Sequence, residues 1–190
     1  MEYQAMTASE FCSELHKLTY TAEVNQRYHQ IKQARMWWWD KFVKIGVAIL
    51  TVFALLAVFL PHELKWLEIG VATAAAVAAV VLNVVPVGEW VTEFGEMFRS
   101  WSDVLRDAEL LELKARKLKN KADVEEHLVE RLEELVSQHC QLDAMEPAPN
   151  DELLFRCQGD INERMYGKGI RTYEKAMEAY WQAVEVRVSR

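Results

Sequence analysis

The chain is predicted to be an all-α membrane protein, a two-helix transmembrane hairpin whose N- and C-terminal cytoplasmic helices form a helical bundle. Three observations predict this. Residues 42–60 and 69–87 are apolar runs of about 19 residues, each roughly 28 Å long as a helix and close to the thickness of a bilayer's hydrocarbon core. Trp37, Trp38, Trp39, Trp66 and Trp90 stand at the ends of these runs, where an indole ring favours the boundary between lipid and water. The rest of the chain is charged and helix-periodic, and neither glycine nor proline occurs before Gly46.

The composition conceals this division. Of 190 residues, 51% are apolar and 27% charged, with a net charge of -7, values typical of a soluble protein. Two buried helices of a soluble bundle would also account for the apolar runs, but not for the placement of the tryptophans. After the hairpin the chain has room for one small cytoplasmic domain, too little for a deep catalytic core. Residues 1–36 are polar and lack the apolar segment of a cleavable signal, so the first run itself is expected to direct insertion. Cys12, Cys140 and Cys157 show no CxxC pairing, and the five histidines form no HExxH pattern, so no metal site, cofactor or disulfide is expected.

Residues 1–36 are expected to be a cytoplasmic helix. Thr7-Ala-Ser-Glu10 has the form of a capping box, and Phe11, Leu15, Leu18 and Ala22 make an apolar stripe that requires a partner, expected to be the long helix beyond the second run. Residues 37–90 make the hairpin, with spans at about 42–60 and 69–87. The only charge in the first span, Lys44, lies in its first turn and can reach the headgroups. Basic residues Arg27, Lys32, Arg35, Lys41 and Lys44 precede it, against Lys65 alone in the link, which places both termini in the cytoplasm.

The second span is rich in small residues. Gly70, Ala74 and Ala78 form one stripe, and Ala72, Ala76, Ala79 and Asn83 another, which allow close helix approach and favour a homo-oligomer, a tetramer among the candidates. Contact with the partner span alone would use a single stripe equally well. Thr73, Ala76, Ala79 and Asn83 are the candidate pore-lining residues. A kink is expected at Pro86 and Gly88.

Residues 91–145 are expected to form a long cytoplasmic helix. Glu89, Glu93 and Glu96 open an acidic face opposite Trp90, Phe94, Met97, Trp101 and Leu105; this is a solvated face or, in an oligomer, an acidic ring at a cytoplasmic mouth. From Leu105 to Leu142, leucines and the seven-residue series Ala115, Ala122, Val129 and Val136 suggest a bundle seam. Residues 146–190 are expected to form a helical pair interrupted at Gly167-Lys-Gly169. Arg164, Lys168, Arg171 and Lys175, with Lys114, Lys117 and Lys121, are candidates for an anionic ligand, unless neighbouring glutamates pair with them.

This layout, with Arg35 and Lys41 before the first span and the leucine-rich helix after the second, resembles the SLATT family over roughly residues 28–180. These are two-transmembrane effectors associated with bacterial nucleotide-linked anti-phage defence. The resemblance implies a pore-forming effector of abortive infection in the inner membrane, gated by a nucleotide or oligonucleotide from a partner nucleotidyltransferase or reverse transcriptase. It includes no catalytic motif. The leading expectation is thus an oligomeric ion channel in the lipid bilayer; the alternative is a non-conducting, membrane-anchored scaffold that recruits a partner through its cytoplasmic helices. An enzyme is not expected, because no nucleophile elbow, phosphate loop or intramembrane carboxylate pair is present.

Overall fold

In a computed structural model the described residues form five helices: α1 (Ala8–Ala57), α2 (Lys65–Val84), α3 (Val87–Ala115), α4 (Glu126–Met145) and α5 (Asp151–Tyr166). The structure describes residues 6–59, 61, 64–115, 124–146, 149–172 and 175–176, and the side chains of residues 68, 82 and 83 lie outside that description. Two compact units result, one of residues 1–29 with 96–190 and the other of residues 30–95.

The transmembrane hairpin is overturned. Among the described residues no helix is long and apolar enough to cross a membrane. Helix ends explain the shortfall. Because α1 stops at Ala57 and α2 at Val84, each apolar run contributes about 16 helical residues, roughly 24 Å against the ~30 Å of a hydrocarbon core. Val85 is extended (φ -93°, ψ 110°), the conformation that the Pro86 ring imposes on its predecessor, so the expected kink is a complete break. The all-helical class stands. The spans at 42–60 and 69–87, the ion-channel character and the inner-membrane location with cytoplasmic termini do not.

The first unit packs four helical segments. Thr7 and Glu10 cap α1 reciprocally: the Thr7 amide donates to Glu10 Oε2 at 3.0 Å and the Glu10 amide to Thr7 Oγ1 at 3.3 Å. The Thr7 amide, and the Thr7 hydroxyl donating to the same Oε2 at 2.8 Å, hold the Glu10 carboxyl below its ordinary pKa. The stripe Phe11, Leu15, Leu18 and Ala22 is buried as expected, against Trp101, Val104, Leu105, Ala108 and Leu111 of α3 and Leu128, Val129, Leu132 and Leu135 of α4. Helix α3 runs antiparallel to α4, since Asp107 meets Arg131 at 2.6 Å while the Trp101 ring meets His139. Helix α5 runs antiparallel to α1: His16 bonds Tyr166 Oη at 2.5 Å, Glu23 pairs with Arg164, and Tyr28 Oη accepts from the Asn150 amide at 2.8 Å. Asn150 caps α5 by accepting from the Leu153 amide at 2.9 Å.

The long helix expected from 105 to 142 is interrupted. Glu125 is extended (φ -61°, ψ 131°) and α4 begins after it, so the leucines on either side close onto one core as a hairpin of helices. Ala115 and Val129 of the expected seam are buried, Val136 is exposed, and Ala122 lies outside the described residues. At the other end α5 stops at Gly167, where φ of 115° and then 92° at Gly169 suit only glycine. Ile170 and Arg171 are not helical, whereas Lys175 and Ala176 are, the Ala176 amide donating to the Thr172 carbonyl at 3.0 Å; Tyr173, Met177, Tyr180, Trp181 and Val184 of the expected last helix lie outside the described residues.

The second unit is mostly surface. Within the apolar runs the partly covered positions on α1 are Val43, Gly46, Val47, Leu50 and Ala54, with Ala57 buried, and on α2 they are Val71, Ala75, Ala78 and Ala79. Each set recurs three and four apart, one narrow seam per helix. The expected α2 stripes are thereby re-sorted: Ala78 and Ala79 are covered, whereas Gly70, Ala72, Ala74 and Ala76 face outward.

Leu135 is fully buried and Val136, its neighbour, is 39% exposed. Leu135→Ala is expected to cost about 2–5 kcal/mol and Val136→Ala under about 1 kcal/mol, read from urea denaturation followed by circular dichroism.

Candidate functional site

The stripe that builds the core does not end at Ala22. Two further steps of helical spacing reach Asn25 and His29, both buried. Polar side chains thus continue an apolar seam, and Asn25 lines a cavity in the first unit. Its volume is about 340 Å³, within the range of small-molecule sites. Helix α1 contributes Tyr20, Thr21, Val24, Asn25 and Tyr28; the end of α4 contributes Asp143 and Glu146; Pro149, Leu154 and Gln158 complete the wall.

Glu146 is held rigidly. Its Oε1 lies 2.6 Å from His29 Nε2 and accepts from the Trp101 indole N–H at 2.7 Å, while its own amide caps α4 on the Leu142 carbonyl at 3.1 Å. One carboxylate therefore ties together α1, α3 and the end of α4. Asp143 stands one turn back on α4. Burial raises its carboxyl pKa; His139, 3.4 Å away, opposes the shift, and the charge of Glu146 adds to it. The cavity thus offers two acidic groups, two phenols and two amides beside apolar walls. It suits a ligand that donates hydrogen bonds and carries positive charge, and opposes a phosphate.

The residues expected to bind an anion are arranged differently. Arg164 is paired with Glu23, and Arg171 lies 3.7 Å from Asp160 and 3.8 Å from Glu163. The Arg171 carbonyl accepts from Asn162 Nδ2 at 3.1 Å, and its guanidinium lies over Gly159, where an added Cβ would come within 3.1 Å of Nε. Lys168 sits in the glycine turn, Lys175 and Lys114 are exposed, and Lys117 and Lys121 lie outside the described residues. The turn breaks the helix face that all four C-terminal bases would have shared.

The pore-lining assignment loses its premise with the spans. Thr73 and Ala76 are exposed and Ala79 is half-buried, while the side chain of Asn83 lies outside the described residues. The Thr73 hydroxyl donates to the Ile69 carbonyl at 2.7 Å, one turn back in its own helix. Glu89, Glu93 and Glu96 are exposed, as the solvated-face reading requires. Among the described residues no group of three or more His, Cys, Asp or Glu side chains could hold a metal ion. Cys12 and Cys140 are exposed and Cys157 is buried.

Sequence reasoning missed Tyr20, Asn25, Tyr28, Asp143 and Glu146. The α1 members could have been found by following the buried stripe past Ala22 to its polar end. Asp143 and Glu146 could not, because His29 and Glu146 are 117 positions apart. Comparison of the chain with protein-family models, with curated proteins and with solved structures gave no match.

Because burial favours the protonated Asp143, the folded state holds that proton to higher pH than the unfolded chain. Ionising Asp143 therefore costs stability, and the cost is complete once the pH exceeds the raised folded value. Asp143→Asn is expected to raise Tm at pH 7, with the gain disappearing near pH 3.5, below the ordinary carboxylate value of about 3.9, in thermal melts followed by circular dichroism.

Proposed function

We propose that the protein is a self-associating helical scaffold, in which the apolar hairpin of the second unit docks on a second copy of itself. The carrying observation is the extent of apolar surface that this unit leaves uncovered. Phe42 is 71% exposed and Phe59 86%; Ile45, Ile49, Val52, Phe53, Leu55, Leu56, Ile69, Val77, Val80 and Val84 are each at least half exposed. Together they amount to on the order of 1,000 Å², more than the few hundred that monomers ordinarily present and comparable with the ~800 Å² per partner of a stable interface.

The chemistry of that surface narrows the occupant. Among the described helical residues from Ile45 to Ala57 and from Ile69 to Val84 there is no charged side chain, and the Thr51 and Thr73 hydroxyls donate within their own helices. A polar partner would find nothing to pair with. A second copy brings an equally apolar face, with bulky Phe53 and Leu56 on α1 and the small exposed Ala72 and Ala76 on α2, the combination that lets two identical hairpins interdigitate about a two-fold axis. At the Trp-rich end, Lys44 pairs with Asp40 at 2.7 Å and Lys41 lies 3.7 Å over the Trp37 ring, a charged and aromatic rim suited to the edge of such an interface. The scaffold expectation is thereby kept without its membrane anchor.

Sedimentation equilibrium of the full chain without detergent is expected to show a homo-oligomer. Phe53→Lys combined with Val80→Lys is expected to weaken the association at least tenfold, each unsatisfied lysine facing an apolar partner. A monomeric wild-type chain, an oligomer indifferent to both lysines, or a chain recovered only with lipid or detergent would overturn the proposal.

A further inference from the structure

The cavity at the end of the first unit is separate from the surface that carries self-association. We propose that it is a binding site for a small organic cation, with an amidinium or ammonium head seated against Asp143 and Glu146 and a flat apolar body between Tyr28 and Leu154.

The acidic wall is built by the fold. Glu146 Oε1 is committed to His29 and the Trp101 indole, which leaves its second oxygen as the acceptor on that side chain. Asp143 follows the same helix one turn earlier, so the two carboxyls line the same cavity. Two acidic groups in a partly desolvated wall repel each other, and burial already presses Asp143 towards its neutral form. A planar cation with several N–H donors relieves both penalties at once, by charge and by charge-assisted hydrogen bonds.

The remaining lining suits the rest of such a ligand. Asn25 and Gln158 can each donate or accept, and Val24, Pro149 and Leu154 offer apolar contact to a ring. Tyr28 is anchored, its hydroxyl accepting from the Asn150 amide, and it lines the cavity, where an aromatic ring attracts a cation as well as a flat body. About 340 Å³ accommodates one ring with its head group. The helix N-cap at Asn150 adds order to this wall without altering the charge preference.

Benzamidine is the probe, titrated calorimetrically into the full-length protein, with benzoate and adenosine monophosphate as anionic controls of similar flatness. Saturable one-to-one binding of benzamidine, with neither control binding, is the expected result. Asp143→Asn removes one charge and keeps the shape, and is expected to weaken benzamidine at least tenfold; Leu154→Trp fills the apolar half and is expected to abolish binding. Wild-type helicity in both variants, read by circular dichroism, is the condition for using them; should Leu154→Trp fail to fold, Asp143→Asn alone decides. Absence of benzamidine binding, equal binding of benzoate, or binding indifferent to Asp143→Asn would overturn the site. An arginine-containing tripeptide amide that binds where benzamidine does not would overturn the small-molecule assignment in favour of a protein side chain.

Discussion

Glu146 is the point at which the first unit closes. A carboxylate at the end of α4 receives the indole N–H of Trp101 from α3 and meets His29 from α1, so three helices are tied by one oxygen atom. His29 is fully buried, and truncating one member would leave the other polar groups enclosed without compensation, an outcome worse than a wholly apolar junction. The same node sets the wall of the cavity. Fold closure and candidate site thus share a residue at the end of the seam, where the apolar stripe of α1 gives way to Asn25 and His29.

The two units solve the burial of apolar side chains in opposite ways. In the first, α1, α3 and α4 surround a common core, and the charged faces carry pairs such as Asp107 with Arg131 and Glu23 with Arg164. In the second, two helices meet along one narrow seam, and a pair of helices cannot enclose side chains distributed all around each of them. Between Ile45 and Ala57 and between Ile69 and Val84 the surplus carries no charge, and the exposed Thr51 and Thr73 hydroxyls donate to carbonyls of their own helices. Such a surface has packing as its means of recognition, which is the ground of the proposed self-association.

Local features were read correctly where their cause is local. The capping box at Thr7 and Glu10, the stripe from Phe11 to Ala22 and the glycine turn after Tyr166 each follow from a few consecutive residues, and Pro86 was placed correctly as an interruption, though as a kink where the helix breaks. The membrane assignment went astray because it equated the length of an apolar run with the length of an apolar helix. Both runs are long enough, and the helices within them end early, at Ala57 and at Val84. The basic cluster shows a different limit of local reading. The acidic partner of Arg164 is Glu23, on a helix far away in the chain, and nearness in sequence says nothing of that pairing.

The sequence by itself determined the all-helical class, the heptad-like spacing of the core and the places where proline and glycine stop a helix, because these depend on backbone sterics and on the 3.6-residue period. Only the tertiary structure decided that α3 and α4 fold back on one another, that Glu146 meets His29, and that Asp143 and the α1 phenols line one cavity. Those pairings join residues distant along the chain. Their energies come from burial and from satisfied polar groups, which exist only once the helices have packed.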